Sequence, residues 1–135
     1  MEDIIAYFKR DRFAELVGIE LLEVSEGRAV ARLVIQECHL NTIRTVHGGT
    51  IFALADLAFA AASNSYGTVA VGINVSISYV KAATGGVLTA EARETSLNPR
   101  LATYTVDVKD EQGDIVAIFQ GMVYRKKDPL PYEQN

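Results

Sequence analysis

The chain contains no tryptophan, one cysteine, three prolines and two histidines in 135 residues. A lone cysteine, Cys38, cannot close an intrachain disulfide, which fits a reducing compartment, so a cytoplasmic protein is expected. With so few histidine and cysteine side chains, a zinc site would need several carboxylates at unrelated spacings, and no metal is expected. Positive charge is short as well. Thirteen Lys and Arg stand against 17 Asp and Glu, a net charge of −4, which argues against a nucleic-acid binder with a broad basic face. The longest apolar run, residues 51–62, contains Asp56 and is too short to span a bilayer. The first residues, Met-Glu-Asp-Ile-Ile, lack the basic start of a signal peptide, so no membrane association is expected.

What is present reads as a globular domain. At 49% hydrophobic and 22% charged residues the composition excludes disorder, and the length supports one domain spanning residues 1–135. Its core is expected over residues 13–126, with a frayed polar tail from 127 to 135. Ile4, Ile5, Phe8, Phe13, Leu16 and Val17 recur at helical spacing, Asp11 is placed to cap a second short helix, and Gly18 to end it. Residues 19–24 and 28–35 read as a hairpin around Ser25-Glu26-Gly27. Residues 36–46 show neither period and read as a loop; His39 is taken as part of it. A long helix follows from Gly48 to Asn64 or Ser65. After it the period changes to two, with strands over residues 69–81, 87–97, 101–109 and 115–126. A helix this apolar has to be covered, so the sheet is predicted to curl around it in an α+β arrangement.

The most informative stretch opens that helix. His47-Gly48-Gly49 precedes a segment in which Thr50 and Asp56 alone are not Ala, Leu, Ile or Phe through Ala62. An ionised carboxylate in such surroundings costs several kcal/mol or shifts its pKa. Perturbed acids cluster at functional sites, so Asp56 is the first catalytic candidate. A helix start also leaves unpaired N–H groups and a partial positive charge, which suits a developing oxyanion. Gly48 and Gly49 remove the side chains that would block a substrate there.

The set Asn41, His47-Gly48-Gly49 and Asp56, in this order of elements, resembles the hotdog-fold acyl-CoA thioesterases. Within them it is most similar to the PaaI-like (phenylacetic acid degradation) branch of the 4-hydroxybenzoyl-CoA thioesterase superfamily, over residues 13–126. The resemblance implies hydrolysis of an acyl-CoA to free acid and CoA, with no cofactor beyond the coenzyme A of the substrate. It implies that Asp56 acts as general base or nucleophile and that Asn41 positions the water or substrate. The Gly48 N–H would polarise the thioester carbonyl, and His47 would orient that turn or contact the thioester. Relatives commonly carry Gly between the Asn and the HGG, where this chain has Thr42-Ile43-Arg44-Thr45, so Arg44 is a candidate for the pocket mouth or a CoA phosphate. Some relatives use a hydroxyl early in the next strand; the corresponding place falls near Gly72-Ile73-Asn74, with the hydroxyl of Ser76 slightly later.

Other substrate contacts are expected from residue chemistry. Gly49, Phe52 and Phe59 should border an apolar acyl pocket, for an aryl-acetyl or other short acyl group. Arg100, in a turn after Asn98-Pro99, could reach a CoA phosphate. Gly48 and Asp56 are eight residues apart, about 12 Å along a helix, too far to act on one carbonyl. The site is therefore expected to be shared between two copies in a homodimer, and the resemblance adds a dimer of dimers, a homotetramer. Three rival functions stand beside this one, one of them a purely structural subunit. A hotdog hydratase or dehydratase would bind the same thioesters, and a non-catalytic acyl-CoA sensor would bind them without Asp56.

Overall fold

The computed structural model describes residues 1–132. Two short helices, α1 (Glu2–Phe8) and α2 (Arg12–Val17), precede a hairpin of β1 (Glu20–Ser25) and β2 (Arg28–Val34). A 3-10 turn (Glu37–His39) and a loop lead to α3 (Gly48–Ser63), followed by β3 (Thr68–Tyr79), β4 (Val87–Leu97), β5 (Leu101–Lys109) and β6 (Ile115–Pro129). Among the described residues the strands form one six-stranded antiparallel sheet ordered β1-β2-β4-β5-β6-β3. The long strand β3 is therefore an edge. No described helix is long and apolar enough to cross a membrane.

Alternation builds the sheet's inner face. Ala102, Tyr104, Val106 and Val108 of β5 are buried, while Thr103, Thr105 and Asp107 between them stay partly exposed. Facing the helix, Ala29, Ala31, Ala90 and Ala92 are fully buried and let α3 lie close to the strands. Leu54, Ala55, Ala58, Ala61 and Ala62 of α3 fill that interface. Asn64 ends the helix: its Nδ2 donates to the Ala60 carbonyl at 2.8 Å, and its Oδ1 accepts from the Ala70 N–H at 3.0 Å. The helix is thereby fixed to the start of β3. This is the α+β hotdog arrangement, a curled sheet around one long helix.

Three expectations need correction. First, α3 is not covered on all sides: Gly49, Phe52, Asp56 and Ala60, at three- and four-residue spacing, form a stripe left partly open. Asp56 lies on that stripe and not in the core. Second, β6 continues to Pro129, pairing with Thr68, and Leu130 is buried with its N–H on the Gly67 carbonyl at 3.0 Å. The tail is therefore held from 127 to 130 instead of fraying; its last residues, 133–135, lie outside the described residues.

Third, Phe59 is core and not pocket lining. It is 3% exposed and packs on Tyr104 and Phe119 with ring centroids 5.9 and 5.3 Å away. Gly121 on β6 makes room for it, since a Cβ there would come within 2.6 Å of the Phe59 ring. Gly121→Ala should therefore lower stability by about 1–3 kcal/mol, the usual cost of overpacking. Urea unfolding checks this, and a midpoint equal to wild type would mean that the ring can move aside freely.

Candidate active site

The loop before α3 is tied down by its own side chains. His39, buried, accepts from the Gln36 N–H at its Nδ1 (2.8 Å), which leaves Nε2 to donate to the Val17 carbonyl (2.6 Å). It joins the 3-10 turn to the end of α2, in keeping with a loop residue. Asn41 accepts from the N–H groups of Ile43 and Thr45, both at 3.1 Å, and donates from Nδ2 to the Thr45 hydroxyl at 2.9 Å. Arg44 has φ 67°, in the left-handed region that favours glycine. Its guanidinium lies on Glu37, donating to Oε2 at 2.8 Å, and holds that carboxyl below its ordinary pKa.

The loop delivers the chain to His47, the N-cap of α3. The His47 Nδ1 accepts from the Gly49 N–H at 2.8 Å, and its carbonyl accepts from Thr50 and Ile51 at 2.9 and 3.2 Å. Gly48 is left over. Its N–H has no hydrogen-bond partner among the described residues. Tyr79, at the end of β3, donates its hydroxyl to the Gly48 carbonyl at 2.9 Å. A Cβ on residue 48 would meet the Tyr79 ring at 3.2 Å. The turn thus presents one free amide at the positive end of a sixteen-residue helix.

Two turns along the same helix, Asp56 opens into a cavity of about 190 Å³ between α3 and α2. Phe13 and Ile19 close it from one side, and Phe52, Ala53, Leu57 and Ala60 from the other. The carboxylate is open to solvent in the single chain, yet these apolar walls strip enough water from it to raise its pKa, and Asp11 on α2 raises it further. Phe52 and Gly49 border this cavity.

The other candidates lie elsewhere. Ser76 pairs with Gln120 and borders a hollow with Asn74, Thr103 and Thr105, on the outer face of the sheet. The inward positions of β3 are instead Gly72, Val75, Ile77 and Tyr79, because a bulge between Gly72 and Asn74 shifts the alternation. Arg100 sits where Arg125 pairs with Ala70, nine residues along β3 from Tyr79, so about 30 Å from the Gly48 turn of its own chain. Two residues that the sequence did not single out for the site belong to it: Tyr79, which braces the turn, and Asp11, which shares the Asp56 cavity. Strand parity counted from Gly72 misses the first, because the bulge reverses the alternation before Tyr79. Only tertiary structure brings in the second.

A hotdog sheet whose central helix starts in an HGG turn and carries one acid on its open stripe defines a class of thioester-handling proteins. Residues 44–117 match the family model of the thioesterase superfamily. The acyl-coenzyme A thioesterase PaaI of Escherichia coli K12 is 33% identical over 121 residues, covering 89% of this chain and 86% of that protein. The solved structure of E. coli PaaI superposes with a TM-score of 0.90 at 31% identity, over 95% of this chain and 94% of the other. A variant of the phenylacetic acid degradation protein PaaI from Thermus thermophilus gives 0.82 at 40% identity, over 86% of this chain and all (100%) of that one. The chain belongs to the thioesterase superfamily, in its PaaI-like branch. It is an enzyme, a thioester hydrolase.

Proposed function

We propose that the enzyme hydrolyses acyl-CoA thioesters with short, apolar acyl groups, aryl-acetyl groups among them. The observation that carries this is the free Gly48 amide. It is the one N–H of the first helical turn left without a partner among the described residues, at the positive end of α3. An oxygen bound there gains negative charge as water or a carboxylate attacks, and a fixed amide at a helix start stabilises that charge without reorganising. Asp56 supplies the base or nucleophile. Desolvation raises its pKa, which makes its ionised form more basic than an ordinary carboxylate. His47 holds Gly49 and so leaves Gly48 to the substrate, while Asn41 shapes the loop and offers its second amide proton to the water or substrate. The proposed reaction calls for no cofactor beyond the coenzyme A of its substrate. Among the described residues no group of three His, Cys, Asp or Glu side chains is placed to hold a metal ion.

The site is composite. Gly48 and Asp56 are separated by eight residues of continuous helix, about 12 Å, so each carbonyl takes its amide from one copy and its carboxylate from another. The edge strand β3 supports a homodimer: Val71, Ile73, Val75 and Tyr79 are exposed along it, a long apolar edge that a single soluble chain would leave open to pairing. A dimer of dimers is the expected assembly, in the cytoplasm.

Release of free thiol from a panel of acyl-CoAs, from acetyl through hexanoyl to phenylacetyl, tests the activity. Turnover is expected to be higher for hexanoyl and phenylacetyl than for acetyl, which leaves most of the cavity empty. A protein that binds these thioesters but releases no thiol would be a sensor. One that consumes an enoyl-CoA double bond instead would be a hydratase.

A further inference from the structure

Asp11 is more than the cap of α2. Its Oδ1 accepts from the Ala14 N–H at 3.0 Å, which fixes the side chain, and the same residue lines the cavity into which Asp56 opens. The cavity walls are otherwise apolar or glycine: Phe13, Ile19, Phe52 and Leu57 are the largest of them. Asp11 and Asp56 are the only titratable groups among the described lining residues. Nearby cations are engaged elsewhere. Arg10 lies over the Tyr7 ring at 5.0 Å and donates to the Pro131 carbonyl at 3.1 Å, and Arg12 is paired with Glu15 on the exposed side of α2. About 190 Å³ is a little more than the roughly 150 Å³ apolar cavity that accepts benzene, so a neutral acyl group of about six carbons or one ring fits.

We propose that Asp11 is a specificity-determining residue of this enzyme: its carboxylate in the acyl cavity selects against acyl groups that carry a negative charge of their own. The inference rests on the assignment of this cavity to the acyl group. Asp56 is one acid the chemistry requires, but the chemistry does not require a second. Asp11 adds a fixed charge at the exposed rim of the same cavity, where like charges near a protein surface repel more strongly than in bulk water. An acyl chain ending in a carboxylate would bring a third. A neutral chain of the same length meets only apolar walls. The mere cap role would be served as well by Asn, which satisfies a helix N-terminus about equally.

The test compares hexanoyl-CoA with the CoA monothioester of adipic acid, equal in chain length and different in terminal charge. For Asp11→Asn the ratio of kcat/KM, adipoyl over hexanoyl, should rise about tenfold, as expected for removing one of two like charges near a protein surface. Asp11 also helps to raise the Asp56 pKa, so the variant shifts turnover of both substrates alike; the ratio is the readout, and the melting temperature should hold. Asp11→Ala should show the same rise in the ratio together with a lower melting temperature, from the lost cap. Calorimetric binding of hexyl-CoA and 5-carboxypentyl-CoA thioethers gives the same comparison without turnover. An unchanged ratio in Asp11→Asn would make Asp11 a helix cap only. Failure of both thioethers to bind would remove the acyl group from this cavity and the inference with it. The catalytic reading is judged separately by Asp56→Asn: if that variant keeps turnover while Asp11→Asn shifts the ratio, Asp56 is displaced from the chemistry and Asp11 stands.

Discussion

Asp56→Asn should fold, melt no lower than the wild type at neutral pH, and lose at least ~100-fold in turnover, the low end for removal of a general base. The two halves of this expectation have one cause. Apolar walls and Asp11 raise the Asp56 pKa above its unfolded value, so the folded state favours the protonated form. A raised pKa means stability that is fully present below the unfolded pKa and lost as pH rises through the folded one. At neutral pH the ionised carboxylate therefore works against the fold, and a neutral amide of the same shape relieves it. Activity has the opposite dependence. Only the ionised form attacks or takes a proton, so kcat/KM should fall on the acid side, with its midpoint above the ordinary carboxylate range. Turnover against pH and thermal melting of the two proteins measure both. Near-normal turnover in Asp56→Asn, or a melting temperature well below wild type, would assign the residue to structure.

Much of this was legible in the sequence, and the failures have physical reasons. The bounds of β4 and β5 follow from alternation, with Leu88, Ala90, Ala92, Ala102, Val106 and Val108 inward and the turns marked by Gly and Asn-Pro; Glu94 is the one charged residue on that face, accepting from the inward Tyr104 hydroxyl at 2.9 Å. The end of β6 is not legible. Lys126, Lys127 and Asp128 look like a solvated tail because that stretch is held by backbone bonds to β3 instead of by buried side chains. Asp56 and the HGG turn stand out because a polar group amid Ala, Leu and Phe, or two adjacent glycines at a helix start, are local signals. The open stripe around Asp56 is hidden, since Phe52 and Ala60 beside it are as apolar as the buried face. Ser76, offered by the resemblance and not by any pattern in the strand, falls away from the Gly48 turn. One extra residue at the bulge turns it to the outer face and brings Tyr79 to the Gly48 turn. Asp11 announces itself only as a cap. Its place beside Asp56 depends on how α2 packs on α3, which no local pattern encodes.

Two inactive variants should restore activity to each other if the site is shared. A chain with Asp56→Ala keeps the free Gly48 amide. A chain with Gly48→Val keeps its carboxylate but covers the amide, because a side chain at residue 48 projects from the turn and meets the Tyr79 ring. Unfolded together in equal amounts and refolded, the two chains pair at random, so about half of the dimers are mixed. Each mixed dimer holds one intact site, with Gly48 from the first chain and Asp56 from the second, and one site damaged twice. Activity should return to about a quarter of wild type, since an unaltered dimer has two sites. Either variant refolded alone should recover none, which controls for the refolding. A mixture that stays inactive, with mixed dimers demonstrated by mass spectrometry, would mean that amide and carboxylate serve one carbonyl within one chain. The helix from Gly48 to Ser63 is continuous, and it holds them about 12 Å apart.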